Sequence, residues 1–315
     1  MRRLLLSIGP GVITGAADDD PSGIATYSVA GAQLGMSLLW TALLSWPLMT
    51  AVQMMCARIG MVTGQGLAGN LKQRFPRWLL FAVVLALLVA NTFNIAADLA
   101  GMAGAAEMLS GINSRWFVLL FALTISWATV KLQYRQIANT LKWLVLVLLA
   151  YPITAFVVGA DWHQVARATL IPSMPHGRAG WSTLVALLGT TISPYLFFWQ
   201  ASQEIEEEKK EGKTTLASRK GATNEELSMR GIDVGVGGFF SNLVSFFIIL
   251  TTAVTLNRHG ITNIETTRDA AEALRPLAGR FAASLFTIGI VGVGFLAIPT
   301  LAGSAAYACA ETLGW

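Results

Sequence analysis

Asp18, Asp19 and Asp20 are consecutive, are followed by Pro21, and interrupt a run that is apolar on both sides. Carboxylates placed in an apolar segment are costly and are kept where they bind or move charge. A second interruption, GTTISPY over residues 189–195, lies far along the chain in a similar setting. In both, small residues lead into a proline, which removes a backbone donor and clashes with the carbonyl one turn back. An unwound turn in an apolar medium leaves carbonyls to be satisfied. Carboxylate, hydroxyl and carbonyl oxygens are the ligands of hard cations, so a bound cation satisfies such a turn. Side chains one and two positions apart on a helix point in different directions, so the three acids do not all face one ion. Asp20 abuts the break and is the expected ligand; Asp18 and Asp19 are expected to line an aqueous vestibule. At the second break the competing expectation is a plain kink, with Thr191 and Ser193 bonding back to their own helix.

The elements that must position these residues are apolar helices. The chain of 315 residues is 54% hydrophobic and 13% charged, against about 25% charged in soluble domains. Apolar runs near the length of a bilayer crossing, about 20 residues, recur, and with the opening segment they make eight predicted spans. No cleavage site follows the basic start, so the first segment is expected to be an unprocessed span. With the N-terminus in the cytoplasm, Arg58, Lys72, Arg74, Arg77, Lys131, Arg135, Lys142 and the basic residues of the loop after span six all fall inside, as the positive-inside rule requires. Trp40, Trp78, Trp116, Trp143 and Trp181 each stand near a span start, as interfacial anchors do. The positive charge therefore belongs to cytoplasmic loops and not to nucleic-acid binding. The setting is an integral membrane protein, placed in a bacterial plasma (inner) membrane.

Other groups carry less chemistry. Cys56 and Cys309 lie in apolar runs and read as small core residues. His163, His176 and His259 are scattered through predicted external loops, which does not suggest the convergent ligands of a zinc site. No phosphate-binding glycine loop accompanies a lysine, so ATP-driven transport by this chain is not expected, and neither an enzymatic activity nor a cofactor is. Asn91, Asn94 and Asp98 fall on one face of the third span and are expected to line a permeation route or support the ion site, with interhelical hydrogen bonding as the alternative. Gln53 and Asn242 are weaker candidates of the same kind. The stretch from Glu204 to Gly231 reads as a solvated connector whose charges nearly cancel.

Spans one and six are five helices apart. Transporters with inverted repeats place discontinuous helices at matching positions of the two halves, with the substrate between them. In order and spacing, Gly9-Pro10-Gly11, the break Asp20-Pro21-Ser22-Gly23, QMMCARIGMVTG from Gln53 to Gly64, Asp98-Leu99-Ala100-Gly101, LLGTTISPY and FFSNL resemble the NRAMP family of divalent metal-ion transporters. The resemblance implies an all-α, LeuT-like inverted-repeat fold and uptake of manganese or iron, usually with protons. It implies ligands at Asp20, the Ala17 carbonyl, Thr190 and Ser193. Gly23 stands where the family has an asparagine ligand, Ser193 where it has methionine, Tyr195 where it has histidine and Gly101 where it has glutamate. Hydroxyl and carbonyl oxygens suit hard ions such as magnesium better than a thioether would, as in a related branch that carries magnesium, and loss of the histidine and glutamate weakens the expectation of proton coupling.

The division that follows has a first five-helix repeat over residues 1–160, an external loop over 161–181, and helices six to eight of a second repeat over 182–315, with a cytoplasmic loop over 203–232. By resemblance the second repeat stops at its third helix. The expected function is alternating-access transport of manganese, iron or magnesium between broken helices one and six. A small organic solute as cargo, or a truncated member that does not transport, are the alternatives. The sequence carries no sign of oligomeric state.

Overall fold

The computed structural model describes residues 14, 15, 17–132, 146–264 and 267–315. The opening segment with Gly9–Gly11, and Arg135, Lys142 and Trp143, lie outside the described residues. The helices are α1 (Pro21–Leu34), α2 (Leu39–Thr63), α3 (Leu67–Arg74), α4 (Arg77–Ser110), α5 (Ser114–Lys131), α6 (Ala150–Val157), α7 (Trp162–Leu170), α8 (Gly177–Thr191), α9 (Pro194–Lys210), α10 (Leu216–Arg219), α11 (Asn224–Thr255), α12 (Thr267–Glu272), α13 (Arg275–Ala278) and α14 (Ala282–Leu313).

Local chemistry sets the helix ends. Asp20 caps α1 and Pro21 is its first residue, where a missing N–H costs nothing. Thr223 and Glu226 form a reciprocal capping box at the start of α11. Gly111, at φ 71°, closes α4 in the left-handed region that a side chain disfavours. Five stretches among the described residues are long and apolar enough to cross a bilayer: Pro21–Thr63, Arg77–Ser110, Gly177–Lys210, Asn224–His259 and Ala282–Leu313. Helix α4, with 34 residues, is roughly 50 Å long at 1.5 Å per residue, more than the ~30 Å hydrocarbon core.

The core sits where α1, α11 and α14 meet: Ile24, Tyr27, Ile248, Ile249 and Val293 are all inaccessible or nearly so. Outside it, Phe93, Leu123, Trp127 and Val130 project from α4 and α5 into the surroundings, which hydrocarbon accommodates and water does not. Trp78, Trp116 and Trp181 are exposed near their span starts, as anchors should be. Trp40 is not: it is buried, and its Nε1 donates to the Ser173 carbonyl. Packing against the 161–181 segment has replaced the membrane surface. That segment is itself partly helical, containing α7 and the start of α8.

The connector after span six is also shorter than its composition suggested. Residues 203–210 continue α9, and residues 224–232 already belong to α11. Glu204 is 1% exposed. Arg230 of α11 holds Glu204 at 2.8 Å, Glu207 at 2.7 Å and Asp233 at 3.0 Å, so charges that read as solvated are paired between two helices.

Candidate ion site between two broken helices

Both predicted breaks are present. In the first span, Asp18 is helical, Asp19 bends, Asp20 is extended (φ −70°, ψ 165°), and α1 begins at Pro21. In the sixth, α8 ends at Thr191, Ile192 and Ser193 are non-helical, and α9 begins at Pro194. The breaks meet. Tyr195 Oη donates to the Ala17 carbonyl at 3.2 Å, and the Tyr27 and Thr191 hydroxyls lie 3.5 Å apart.

Asp20 is 2% exposed. Its Oδ1 accepts from Gly23 N at 2.6 Å and from Ser22 Oγ at 2.7 Å. One oxygen thus holds the start of α1, where the helix dipole favours an anion. A Cβ at Gly23 would lie 3.1 Å from Asp20 Oδ1 and 3.3 Å from Thr190 Oγ1. Position 23 therefore stands against both broken helices, and any side chain there would press on Asp20 and Thr190. Ser193 Oγ donates to the Thr190 carbonyl at 2.7 Å and Thr191 Oγ1 to the Leu187 carbonyl at 2.8 Å. Both hydroxyls turn back on their helix, and their lone pairs remain as acceptors.

Asp98 of α4 stands on the other side of the first break. It is fully buried, its Oδ1 accepts from Ser22 N at 3.0 Å, and its Oδ2 has no partner among the described residues. Gly101, one turn on, would place a Cβ 3.3 Å from Pro21, so a side chain there would press on the break. Asn91 does something different: its Nδ2 donates to the Leu301 carbonyl and Ser304 Oγ of α14, each at 2.9 Å. It ties helices together, and Asn94 is half-buried between these two. The common face divides because its two ends meet different neighbours.

Asn242 of α11 accepts from Ser45 Oγ at 2.7 Å and donates to the Gly238 carbonyl, which fastens α11 to α2. Gln53 is fully buried on α2, and neither amide atom has a partner among the described residues. Gly60 of α2 packs on Ala201 of α9.

Asp18 and Asp19 do not line a vestibule. They are 1% and 2% exposed, and Ser241 Oγ of α11 donates to Asp18 Oδ2 and reaches Asp19 Oδ1 at 3.5 Å. The physical reason is close packing: a Cβ at Gly15 would collide with the Gly237 carbonyl, so only glycine permits this approach. The contacts of Ser241, Ser22 and Tyr27 were not foreseeable from the sequence, although the two serines lie in the motifs FFSNL and Asp20-Pro21-Ser22-Gly23. Serine and tyrosine in apolar helices carry no charge to flag them, although Ser241 is the immediate neighbour of Asn242. Among the described residues no three His, Cys, Asp or Glu side chains converge as a metal cluster, and Cys56 and Cys309 are unpaired. What the breaks can offer an ion is one carboxylate with hydroxyl and carbonyl oxygens.

Residues 11–315 match the family described as natural resistance-associated macrophage protein-like, Nramp. The chain is similar to the divalent metal cation transporter MntH of Yersinia pestis (strain Pestoides F), 28% identical over 96% of this chain and 73% of that one. It is 29% identical to the MntH of Caldanaerobacter subterraneus subsp. tengcongensis over 96% and 71%. Among solved structures, a manganese transporter of Eremococcus coleocola bound to an aromatic bis-isothiourea substituted compound superposes with TM-score 0.77 at 18% identity, covering 98% of this chain and 65% of that one. A histidine-to-alanine mutant of that transporter gives 0.76 at 18% identity, over 100% and 67%. The chain thus spans about two thirds of the length of those structures, and the likeness to them is one of fold.

Proposed function

The chain belongs to the Nramp family, and from that membership and the geometry of the two breaks we propose that it carries divalent metal cations across a membrane by alternating access, with Asp20 as the charged ligand. It is an integral membrane protein with no enzymatic role; the cation is cargo and not a cofactor. The observation that carries the reading is Asp20 itself: a buried carboxylate fixed by one oxygen at the start of α1, with Thr190 of the second broken helix on the other side of Gly23.

The remaining donors come from the same small region. The Ala17 and Thr190 carbonyls are freed or shared at the breaks, and the Thr190 and Ser193 hydroxyls supply further oxygen. Asp98 and Tyr195 hold the breaks in register through Ser22 and Ala17. An all-oxygen set favours manganese and magnesium over softer ions. Magnesium keeps waters where it can, and a site without a side chain at position 23 leaves room for them. Alternating access fits helices already divided at the ion, because each half can move without breaking further hydrogen bonds. The charge bias of the loops supports a cytoplasmic N-terminus, and a bacterial plasma membrane is the setting that this reading takes.

Isothermal titration of the purified protein with manganese, with magnesium as competitor, tests this. Wild type is expected to bind both at one site, and Asp20→Ala to bind neither while still inserting, because the change makes the segment more apolar. Unchanged manganese binding in Asp20→Ala, or rejection of magnesium alongside tight cadmium binding, overturns the assignment.

A further inference from the structure

We propose that Asp18, Asp19 and Ser241 form a second cation site, between the first span and α11, which takes a small hard monovalent cation of the sodium class. Asp18 is 1% exposed, and while its Oδ2 accepts from Ser241 its Oδ1 meets no partner among the described residues. Asp19 is 2% exposed and shares that one serine hydroxyl. A single hydrogen serves two carboxylates, and no ion pair to either is present among the described residues. Buried carboxylates without a counter-charge are strongly unfavourable. The cation held by Asp20 does not supply it, because Asp18, Asp19 and Asp20 do not converge on one point. Their directions diverge along the helix, with Asp20 turned to α1 and Asp18 to α11.

The donors define the ligand class. Two carboxylates and a hydroxyl are hard oxygen ligands, and the Gly237 carbonyl lies against Gly15, one turn before Asp18. The neighbouring ion at Asp20 decides the charge. At a given distance, two divalent ions repel one another twice as strongly as a divalent and a monovalent ion do. A monovalent cation lowers the buried negative charge at half that cost. Because the site joins the span-one break to α11, its occupancy bears on the same backbone that forms the Asp20 site.

The test is a scintillation-proximity assay of ²²Na⁺ binding to the purified chain, with manganese binding followed by titration in parallel. Wild type is expected to bind ²²Na⁺ saturably, and saturating manganese is expected not to displace it. Asp18→Asn should lose sodium binding and retain manganese binding. Ser241→Ala, which removes one ligand and leaves the carboxylates, should weaken sodium binding about tenfold. Asp20→Asn should show the reverse of Asp18→Asn, losing manganese and keeping sodium. Retained manganese binding in Asp18→Asn also shows that the variant is folded; if it is lost there too, Ser241→Ala decides. Absence of saturable ²²Na⁺ binding in wild type, full displacement by manganese, or undiminished sodium binding in both variants overturns the second site. Manganese binding retained in Asp20→Asn overturns the first site and leaves the second standing.

Discussion

At the scale of the residue, Ser193 is where the proposed ion preference can be tested. Its hydroxyl is turned onto the Thr190 carbonyl, so it offers only a hard oxygen lone pair to the space between the breaks. Ser193→Met exchanges that oxygen for a polarisable thioether. Binding titrations should show a shift of about tenfold or more toward cadmium or iron over magnesium, the order expected of soft ligands; an unchanged cadmium-to-magnesium ratio would place position 193 outside the coordination sphere. Gly23 tests the same space from the opposite side. An asparagine there would put its amide oxygen between Asp20 and Thr190, whose nearest atoms, at 3.1 and 3.3 Å from the new Cβ, are the ends of side chains and able to give way. Manganese should then bind more tightly, and magnesium, which gives up its waters reluctantly, should gain less. Equal gains for both ions in the titration would argue against a roomy wild-type site.

At the scale of the element, the breaks depend on helices that approach more closely than side chains allow. Gly15 on the first span and Gly237 on α11 touch backbone to backbone. Gly15→Ala cannot be relieved by rotating a side chain, since the obstacle is a carbonyl. The expected cost is about 1–3 kcal/mol, seen as lowered thermal stability of the purified protein, together with weakened sodium binding as Ser241 moves from Asp18. An alanine variant as stable as wild type would mean that the two helices separate freely. Pro194 acts through the backbone alone. It begins α9 after two non-helical residues, so a residue with an N–H there would let α8 run on toward α9 and close the second break.

At the scale of the whole molecule, the Arg230 cluster joins the second half of span six to span seven. Arg230→Gln leaves Glu204, 1% exposed, without its counter-charge. Breaking a buried pair in this way costs about 3–5 kcal/mol, and thermal unfolding should show it. Adding Glu204→Gln removes the orphaned charge and should restore part of the loss, a coupling that the double-mutant cycle measures. Strict additivity of the two substitutions would mean that the pair is not coupled in the folded protein.

The membrane setting, the helical class and the two breaks were legible in the chain because each rests on a local rule. Low charge and long apolar runs require helices in a bilayer, and a proline after small residues ends a helix wherever it stands. Asp20 was legible as the residue at the first break for the same reason, through its position next to Pro21. The partners of the other acids were not. Asp18 and Asp19 read as water-facing because a run of three aspartates in a helix ordinarily is, and only the Gly15–Gly237 approach, between residues more than two hundred positions apart, buries them under Ser241. Glu204 read as a member of a solvated loop because its neighbours in sequence are charged, whereas its neighbour in space is Arg230. Asn91 and Asp98 share a helix face that the spacing reveals, but one meets α14 and the other the break at Ser22. Local stereochemistry determines where a chain can bend and which residues are costly to bury; which partner relieves that cost is a property of the packed helices.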